Sequence, residues 1–227
     1  MRTRRPLSIL ATALLAAAAV ACTPQAAQAP TPAPITVDTT EAAAGIVVGE
    51  GPVEIWLWTD PSCPHCALLD EAIGDDLTTL IDDGEVTLTL HPMTYVSAKR
   101  GDDTDYSTRA AAVLFAAAED TAAIPALYAL IQQNQVSDAG APTDDDLLAY
   151  AREAGVSRDL RPALADAALL AQASNDAWLG ETVPGTTQVV DHVPLLVIDG
   201  AVFEVREDGS DAARFADAVA TARAAHR

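Results

Sequence analysis

The stretch that decides the fold is 53-VEIWLWTDPSCPHC-66. Gly51-Pro52 precedes it, and β-branched, aliphatic and aromatic residues predict a β-strand from Val53 to Trp58. Because apolar residues occupy both faces of this strand, we expect it to lie in the middle of a sheet. A pair of cysteines follows, and the spacing of leucine and isoleucine after it predicts a helix from Ala67 to about Leu80.

The two cysteines, Cys63 and Cys66, predict a redox pair at the start of this helix. Cys63 would lie at the helix N-terminus, where the helix dipole and the free backbone N–H groups stabilise a thiolate. Pro64 suits the first helical position, which needs no N–H donor, and His65 would add a positive charge or an N–H donor beside the sulfur. A stabilised thiolate favours the reduced form, so the disulfide is expected to be a good oxidant.

The same cysteine spacing also occurs in half of a zinc site and in static disulfides. A structural zinc ion needs four ligands, and the chain adds only Cys22 and four histidines, none of which forms a second paired motif. A disulfide that closes so short a loop would add little stability. The redox interpretation is therefore favoured, and we expect no metal and no cofactor.

The elements around the motif predict an α/β protein. They are a strand at Glu85 to His91, a helical block at about residues 106–179, a hairpin of Leu195 to Ile198 with Val202 to Val205, and a last helix at Asp211 to Ala225. This order predicts a thioredoxin-like fold with a helical insertion between the β-α-β half and the C-terminal β-hairpin and helix. We expect this domain to span residues 45–227.

The N-terminal residues 1–22 predict an export signal, because three arginines precede a short apolar run that ends in small residues. Ala19-Val20-Ala21 before Cys22 resembles a bacterial lipobox, which would make Cys22 a lipid attachment site, although cleavage without lipidation is an alternative. Residues 23–44 are rich in proline and alanine and predict a disordered linker. We therefore expect an extracytoplasmic protein, anchored by lipid to the outer face of the bacterial cell membrane or secreted.

The charge of the chain argues against a nucleic-acid partner. The formal net charge is −20, whereas phosphate binding needs clustered lysine and arginine. The acidic surface is expected to keep the protein soluble.

From about residue 45 onward, the chain resembles the DsbA-like family of bacterial thiol–disulfide oxidoreductases. The resemblance rests on Cys63-Pro64-His65-Cys66 after a strand and on Thr59-Asp60 before it. It implies a cis-proline loop opposite the cysteines, for which Val193-Pro194 is the matching position. Pro194 would then belong to the catalytic site, and the backbone of Val193 would pair with an extended substrate segment.

The resemblance implies an oxidase that introduces disulfides into exported proteins with cysteine thiols, and an unidentified membrane redox partner that reoxidises it. Two alternatives remain open. The chain could be a reductase or a thiol donor in cytochrome maturation, because reaction direction depends on the partners' potentials. It could also be a non-catalytic lipoprotein binding module.

Many members of the family carry a buried acid six residues before the first cysteine, where this chain has Leu57. Glu54 and Asp60 are the nearest acids. We expect them to be an ordinary strand charge and a loop or capping residue.

Overall fold

A computed structural model describes residues 39–227, so the predicted signal, Cys22 and residues 23–38 lie outside the described part of the chain. The strands are β1 (Ile46–Val48), β2 (Val53–Thr59), β3 (Val86–Pro92), β4 (Leu195–Ile198) and β5 (Ala201–Phe203). The helices are α1 (Thr39–Ala44), α2 (Pro64–Asp82), α3 (Val96–Arg100), α4 (Tyr106–Ala116), α5 (Ile124–Gln133), α6 (Asp144–Glu153), α7 (Leu164–Trp178) and α8 (Asp211–Ala225). None of the helices between residues 39 and 227 is long and apolar enough to cross a bilayer.

The five strands form one sheet in the order β1-β3-β2-β4-β5. Strand β2 is central and runs parallel to β3, while β4 pairs antiparallel with it on its other side. Ile55, Leu57 and Trp58 are buried. This confirms the prediction, made from the apolar residues on both faces of β2, that the strand is central. Strands β4 and β5 form the predicted hairpin. The predicted α/β, thioredoxin-like fold class is confirmed.

Helix α2 starts at the redox motif and carries it on a firmly packed element. Leu69, Ile73, Leu77 and Ile81 recur every four residues, and this stripe is buried in the main core. Helix α2 packs against α5 on one side and α8 on the other. The cysteine pair is therefore fixed between the sheet and the helical insertion.

The predicted helical insertion consists of helices α4 to α7. Helix α4 is alanine-rich and buried along almost its whole length, which allows α7 to approach it closely. Helix α6 begins at a capping box in which Thr143 and Asp146 satisfy each other's free backbone N–H groups.

The fold begins earlier than residue 45, so the predicted linker at residues 23–44 is too long. Residues 39–44 form helix α1, whose Ala42 is fully buried. The indole N–H of Trp178 donates to the carbonyl of Ala43 at 3.0 Å. A six-residue helix of small residues has no clear periodicity, because packing against α7 rather than its own sequence stabilises it.

An aromatic cluster lies on the sheet beneath α1 and α7. It consists of Trp56, Trp58, His91 and Trp178, and the rings of Trp58 and His91 stack with centroids 4.7 Å apart. Burial lowers the pKa of His91 to about 3, so its imidazole is neutral. Gly45 completes the cluster, because a β-carbon there would come within 2.7 Å of the His91 ring.

Candidate active site

The Cys63 sulfur lies at the N-terminus of α2. Cys63 is the residue that precedes the first helical position, occupied by Pro64, and its carbonyl accepts the N–H of Cys66 at 3.0 Å. Its own N–H donates to the carbonyl of Asp60 at 2.9 Å, which forms a tight turn between β2 and the helix. The sulfur therefore faces the free N–H groups and the positive end of the helix dipole.

These surroundings lower the pKa of the Cys63 thiol to about 7. The largest contribution is a hydrogen bond from the Cys66 thiol, and the backbone N–H groups of Cys66 and His65 add to it. Burial of the sulfur and the negative charge of Asp60 act in the opposite direction. A large fraction of Cys63 is consequently a thiolate at neutral pH, which is the reactive form.

The Cys66 sulfur has the opposite properties. Cys66 is fully buried, and burial raises its pKa well above the ordinary value. The thiolate on Cys63 raises it further. Its neighbours are the hydroxyl of Thr59 and the backbone N–H of Asp60, which donates to the sulfur at 3.5 Å. Cys66 is thus protonated in the reduced protein and out of reach of a large partner.

The loop before β4 lies opposite Cys63. The Val193–Pro194 peptide bond is cis, as the resemblance implied, and Pro194 is buried. The Cys63 thiol donates to the carbonyl oxygen of Val193 at 3.5 Å. The structure thus brings together four of the predicted residues, Cys63, Cys66, Val193 and Pro194.

The His65 side chain differs from the expectation. The imidazole ring makes its hydrogen bond to another partner: Nδ1 lies 2.8 Å from Oε1 of Glu207, on the loop before α8. The contact with the sulfur comes from the backbone N–H of His65 instead. A carboxylate 142 residues away in the chain is the nearer polar partner for the ring, which spacing around the motif could not indicate.

Asp60 also differs from the expectation, because it is a buried network residue and not an ordinary loop acid. It is fully buried, and burial raises its pKa to about 6. Its carboxylate accepts three hydrogen bonds, which come from the Ser107 hydroxyl at 2.5 Å, the Ser62 N–H at 2.8 Å and the Val96 N–H at 2.9 Å. Asp60 thereby ties the turn before Cys63 to α3 and α4. Glu54, in contrast, is exposed on β2 as expected.

The helical insertion contacts the motif directly. Nε2 of Gln135 donates to the carbonyl of Cys63 at 2.9 Å and to Oε1 of Gln132 at 2.7 Å. Gln132 in turn donates to the Thr59 hydroxyl at 3.2 Å, and that hydroxyl lies 2.9 Å from the hydroxyl of Tyr128. A buried polar chain therefore runs from the insertion to the neighbour of Cys66.

Arg100 is a further residue beside the motif. Its guanidinium donates to the carbonyl of Ser62 at 2.7 Å, immediately before Cys63. No sequence pattern indicated Arg100 or Glu207, since each reaches the site through tertiary packing; for Asp60 the Thr-Asp-x-x-Cys pattern was such a signal, and for Gln135 it was the resemblance of residues 132–135 to the inserted region of the family. Among residues 39–227, no group of three or more histidine, cysteine or acidic side chains is arranged to hold a metal ion.

Comparison with known proteins supports the same fold. A thioredoxin family model matches residues 41–218. No curated protein sequence matches the chain. Reduced DsbA from Mycobacterium tuberculosis is 17% identical with a TM-score of 0.57, and the match covers 81% of this chain and 100% of that one.

Two further solved structures are similar. MdbA from Corynebacterium diphtheriae, a thiol-disulfide oxidoreductase, is 23% identical with a TM-score of 0.56, covering 79% of this chain and 91% of that one. Oxidised BdbD from Bacillus subtilis is 14% identical with a TM-score of 0.58, covering 80% and 94%. The chain therefore belongs to the thioredoxin family and has the fold of its DsbA-type thiol–disulfide oxidoreductases.

Proposed function

We propose that this protein is an extracytoplasmic thiol–disulfide oxidoreductase that forms disulfides in exported proteins through Cys63 and Cys66. The observation that carries the proposal is the asymmetry of the pair: Cys63 has a pKa of about 7 at a helix N-terminus, and Cys66 is buried with a raised pKa. Such a pair has one sulfur that reacts with partners and one that stays inside. MdbA, a protein of the same fold, is a thiol-disulfide oxidoreductase, which agrees with this chemistry.

In the first step, a substrate thiolate attacks the Cys63 sulfur of the oxidised pair. A substrate–Cys63 disulfide forms, the Cys63–Cys66 bond breaks, and its electron pair goes to Cys66, which takes up a proton. The raised pKa of Cys66 means that this sulfur is protonated after it leaves. Cys63 is the more accessible sulfur, because it is 5% exposed whereas Cys66 is fully buried.

In the second step, another thiolate of the substrate attacks the substrate sulfur of the mixed disulfide. The new substrate disulfide forms, and Cys63 departs as a thiolate. Two electrons have then passed from the substrate dithiol to the enzyme. The low pKa of Cys63 favours this step, because a stable thiolate is a good leaving group.

Val193 and Pro194 form the substrate-positioning side of the site. The half-buried Val193 lies beside the Cys63 sulfur. An extended substrate segment that paired with the Val193 backbone would bring its cysteine in line with Cys63. Sequence preference would then come from neighbouring side chains, and the backbone pairing itself would accept many proteins.

The cellular setting is proposed from the sequence. An export signal at residues 1–22 and lipidation of Cys22 would hold the domain on the outer face of the cell membrane. A membrane redox partner would reoxidise the pair after each cycle. Globomycin-sensitive processing, or labelling with a radioactive fatty acid that is lost in Cys22→Ala, would test the anchor.

One observation favours a second candidate function, a disulfide reductase. A Cys63 pKa of about 7 is closer to that of thioredoxin, about 7, than to that of a strong oxidant such as DsbA, about 3.5. A less stabilised thiolate makes the disulfide a weaker oxidant.

The redox equilibrium with glutathione decides between the two candidates. An oxidase is expected to have a potential above the range of about −200 to −230 mV found for glutaredoxins, and a reductase one near thioredoxin, about −270 mV. The oxidised protein should also restore activity to a reduced, unfolded disulfide protein when it is supplied in stoichiometric amount. A potential near or below thioredoxin's would overturn the oxidase assignment, and failure to exchange at all would overturn both candidates.

A further inference from the structure

The loop between β5 and α8 carries a carboxylate to the redox motif. Glu207 is far from the cysteines in sequence, yet its Oε1 lies 2.8 Å from Nδ1 of His65. The His65 side chain is 60% exposed and that of Glu207 is 31% exposed. The pair therefore lies at the rim of the site, where a partner protein would approach.

The backbone around Glu207 is built to present this side chain. The buried carboxylate of Asp211, at the start of α8, accepts the N–H of Glu207 at 2.8 Å and the N–H of Arg206 at 3.1 Å. Arg214 holds that carboxylate from the other side at 3.0 Å. Glu207 has a φ of 54°, in the left-handed region that residues with a β-carbon rarely adopt. Such a conformation persists only where surrounding contacts enforce it, and it is enriched at functional sites.

The contact with Glu207 determines what His65 does for Cys63. The Cys63 thiolate is stabilised by the Cys66 thiol and by two backbone N–H groups. The His65 ring makes its hydrogen bond to Glu207 and not to the sulfur. The contact that occupies the ring nitrogen therefore works against the thiolate.

From this geometry, and on the basis of the proposed function, we infer that Glu207 is a positioning residue that keeps the His65 imidazole away from Cys63 and thereby limits the oxidising strength of the disulfide. Without the carboxylate, the ring is free to turn its N–H towards the sulfur, and the reduced form gains stability. The other titratable groups beside the sulfur are Asp60, Cys66 and Tyr95, and they are the same in the variant.

The test is the equilibrium of the full-length chain with glutathione, in which the enzyme disulfide and two glutathione molecules give the enzyme dithiol and glutathione disulfide. For Glu207→Gln, the equilibrium constant should shift towards the dithiol by about threefold to tenfold, or about 14 to 30 mV. The pH midpoint of Cys63 thiolate absorbance should fall in parallel. A matched control is Glu204→Gln, which removes the same charge from the same loop, where Glu204 pairs with Arg206. Its equilibrium constant should stay within about twofold of the wild type.

A second pair of variants tests whether Glu207 acts through the His65 ring or through its charge alone. In His65→Gln, the further change Glu207→Gln should alter the equilibrium constant by less than about twofold, because the ring on which Glu207 acts is absent. An unchanged equilibrium in Glu207→Gln would overturn the inference, as would an equal shift in Glu204→Gln or in the His65→Gln background. In each of these cases the wild type still exchanges with glutathione and the proposed function stands; a wild type that does not exchange would overturn both.

Discussion

The inner and outer sides of the Cys63–Cys66 motif differ in burial and in hydrogen bonding. The inner side contains Cys66, Asp60 and Thr59, all fully buried and joined by hydrogen bonds to the helical insertion. The outer side contains the exposed pair of His65 and Glu207. Both sides carry a carboxylate, and burial raises the pKa of the inner one, Asp60, to about 6.

This difference explains how one short motif can hold two unlike thiols. The interior keeps Cys66 protonated by excluding water, which is a property of packing. The Cys63 thiolate is stabilised by the Cys66 thiol and by backbone N–H groups, and the rim contact between Glu207 and His65 keeps the imidazole ring from joining them. Changes on the inner side should therefore affect both stability and chemistry, and changes on the outer side should affect chemistry alone.

Replacing the cysteines one at a time should have the largest effect on disulfide exchange. Cys63→Ala removes the sulfur that forms the mixed disulfide, so disulfide exchange with glutathione should be abolished. Cys66→Ala keeps the reactive thiolate but removes the resolving thiol, so mixed disulfides should accumulate and be visible on non-reducing gels. Equal trapping by both variants would contradict the assignment of roles.

Asp60 should give the protein a pH-dependent stability. Because its pKa is raised from 3.8 to about 6 on folding, the folded protein binds the proton more tightly, and the free energy of unfolding should fall as pH rises from about 4 to 6. The loss of free energy of unfolding is on the order of 3 kcal/mol and is complete above about pH 6. In Asp60→Asn this part of the slope should vanish, as measured by urea unfolding at several pH values. A slope identical to that of the wild type would show that Asp60 does not titrate in this range.

The same variant should also shift the chemistry of Cys63. The Asp60 carboxylate opposes the thiolate, so Asp60→Asn should lower the Cys63 pKa. Thiolate absorbance against pH measures this. Asp70→Asn is a matched control, because burial raises the pKa of the half-buried Asp70 to about 6 as well, yet Asp70 accepts none of the hydrogen bonds around the motif. The control should leave the Cys63 pKa unchanged, and a shift of equal size would assign the effect to general surface charge.

The smallest effect is expected from the insertion. Gln135→Ala removes the hydrogen bond to the Cys63 carbonyl and should lower the free energy of unfolding by about 1 kcal/mol. The glutathione equilibrium should change by less than about twofold, because the carbonyl is not the reacting group. A larger redox effect would mean that the insertion tunes the sulfur and not only supports the turn.

Local sequence predicts the secondary structure that frames this site but not the tertiary contacts made within it. The strand before the motif, the helix after it and the Val193-Pro194 position follow from periodicity, proline chemistry and resemblance. The sequence predicts a loop or capping role for Asp60, because its burial depends on Ser107 and Val96, which come from α4 and from the start of α3. Glu207 was missed for the same reason, since a loop near the other end of the chain supplies it. Helix α1 was missed because its sequence resembles a linker until α7 covers it.

The aromatic cluster determines what the intrinsic tryptophan fluorescence of this protein reports. All three tryptophans of the chain, Trp56, Trp58 and Trp178, belong to it, and Trp58 lies on the strand that runs into the redox motif. Intrinsic emission therefore reports on one small region and is not an average over the molecule. Burial holds the pKa of the stacked His91 at about 3, so its ring stays neutral at mildly acidic pH while the sheet is closed. Quenching of the emission by a His91 cation in that pH range would register local opening of the sheet beside the cysteines.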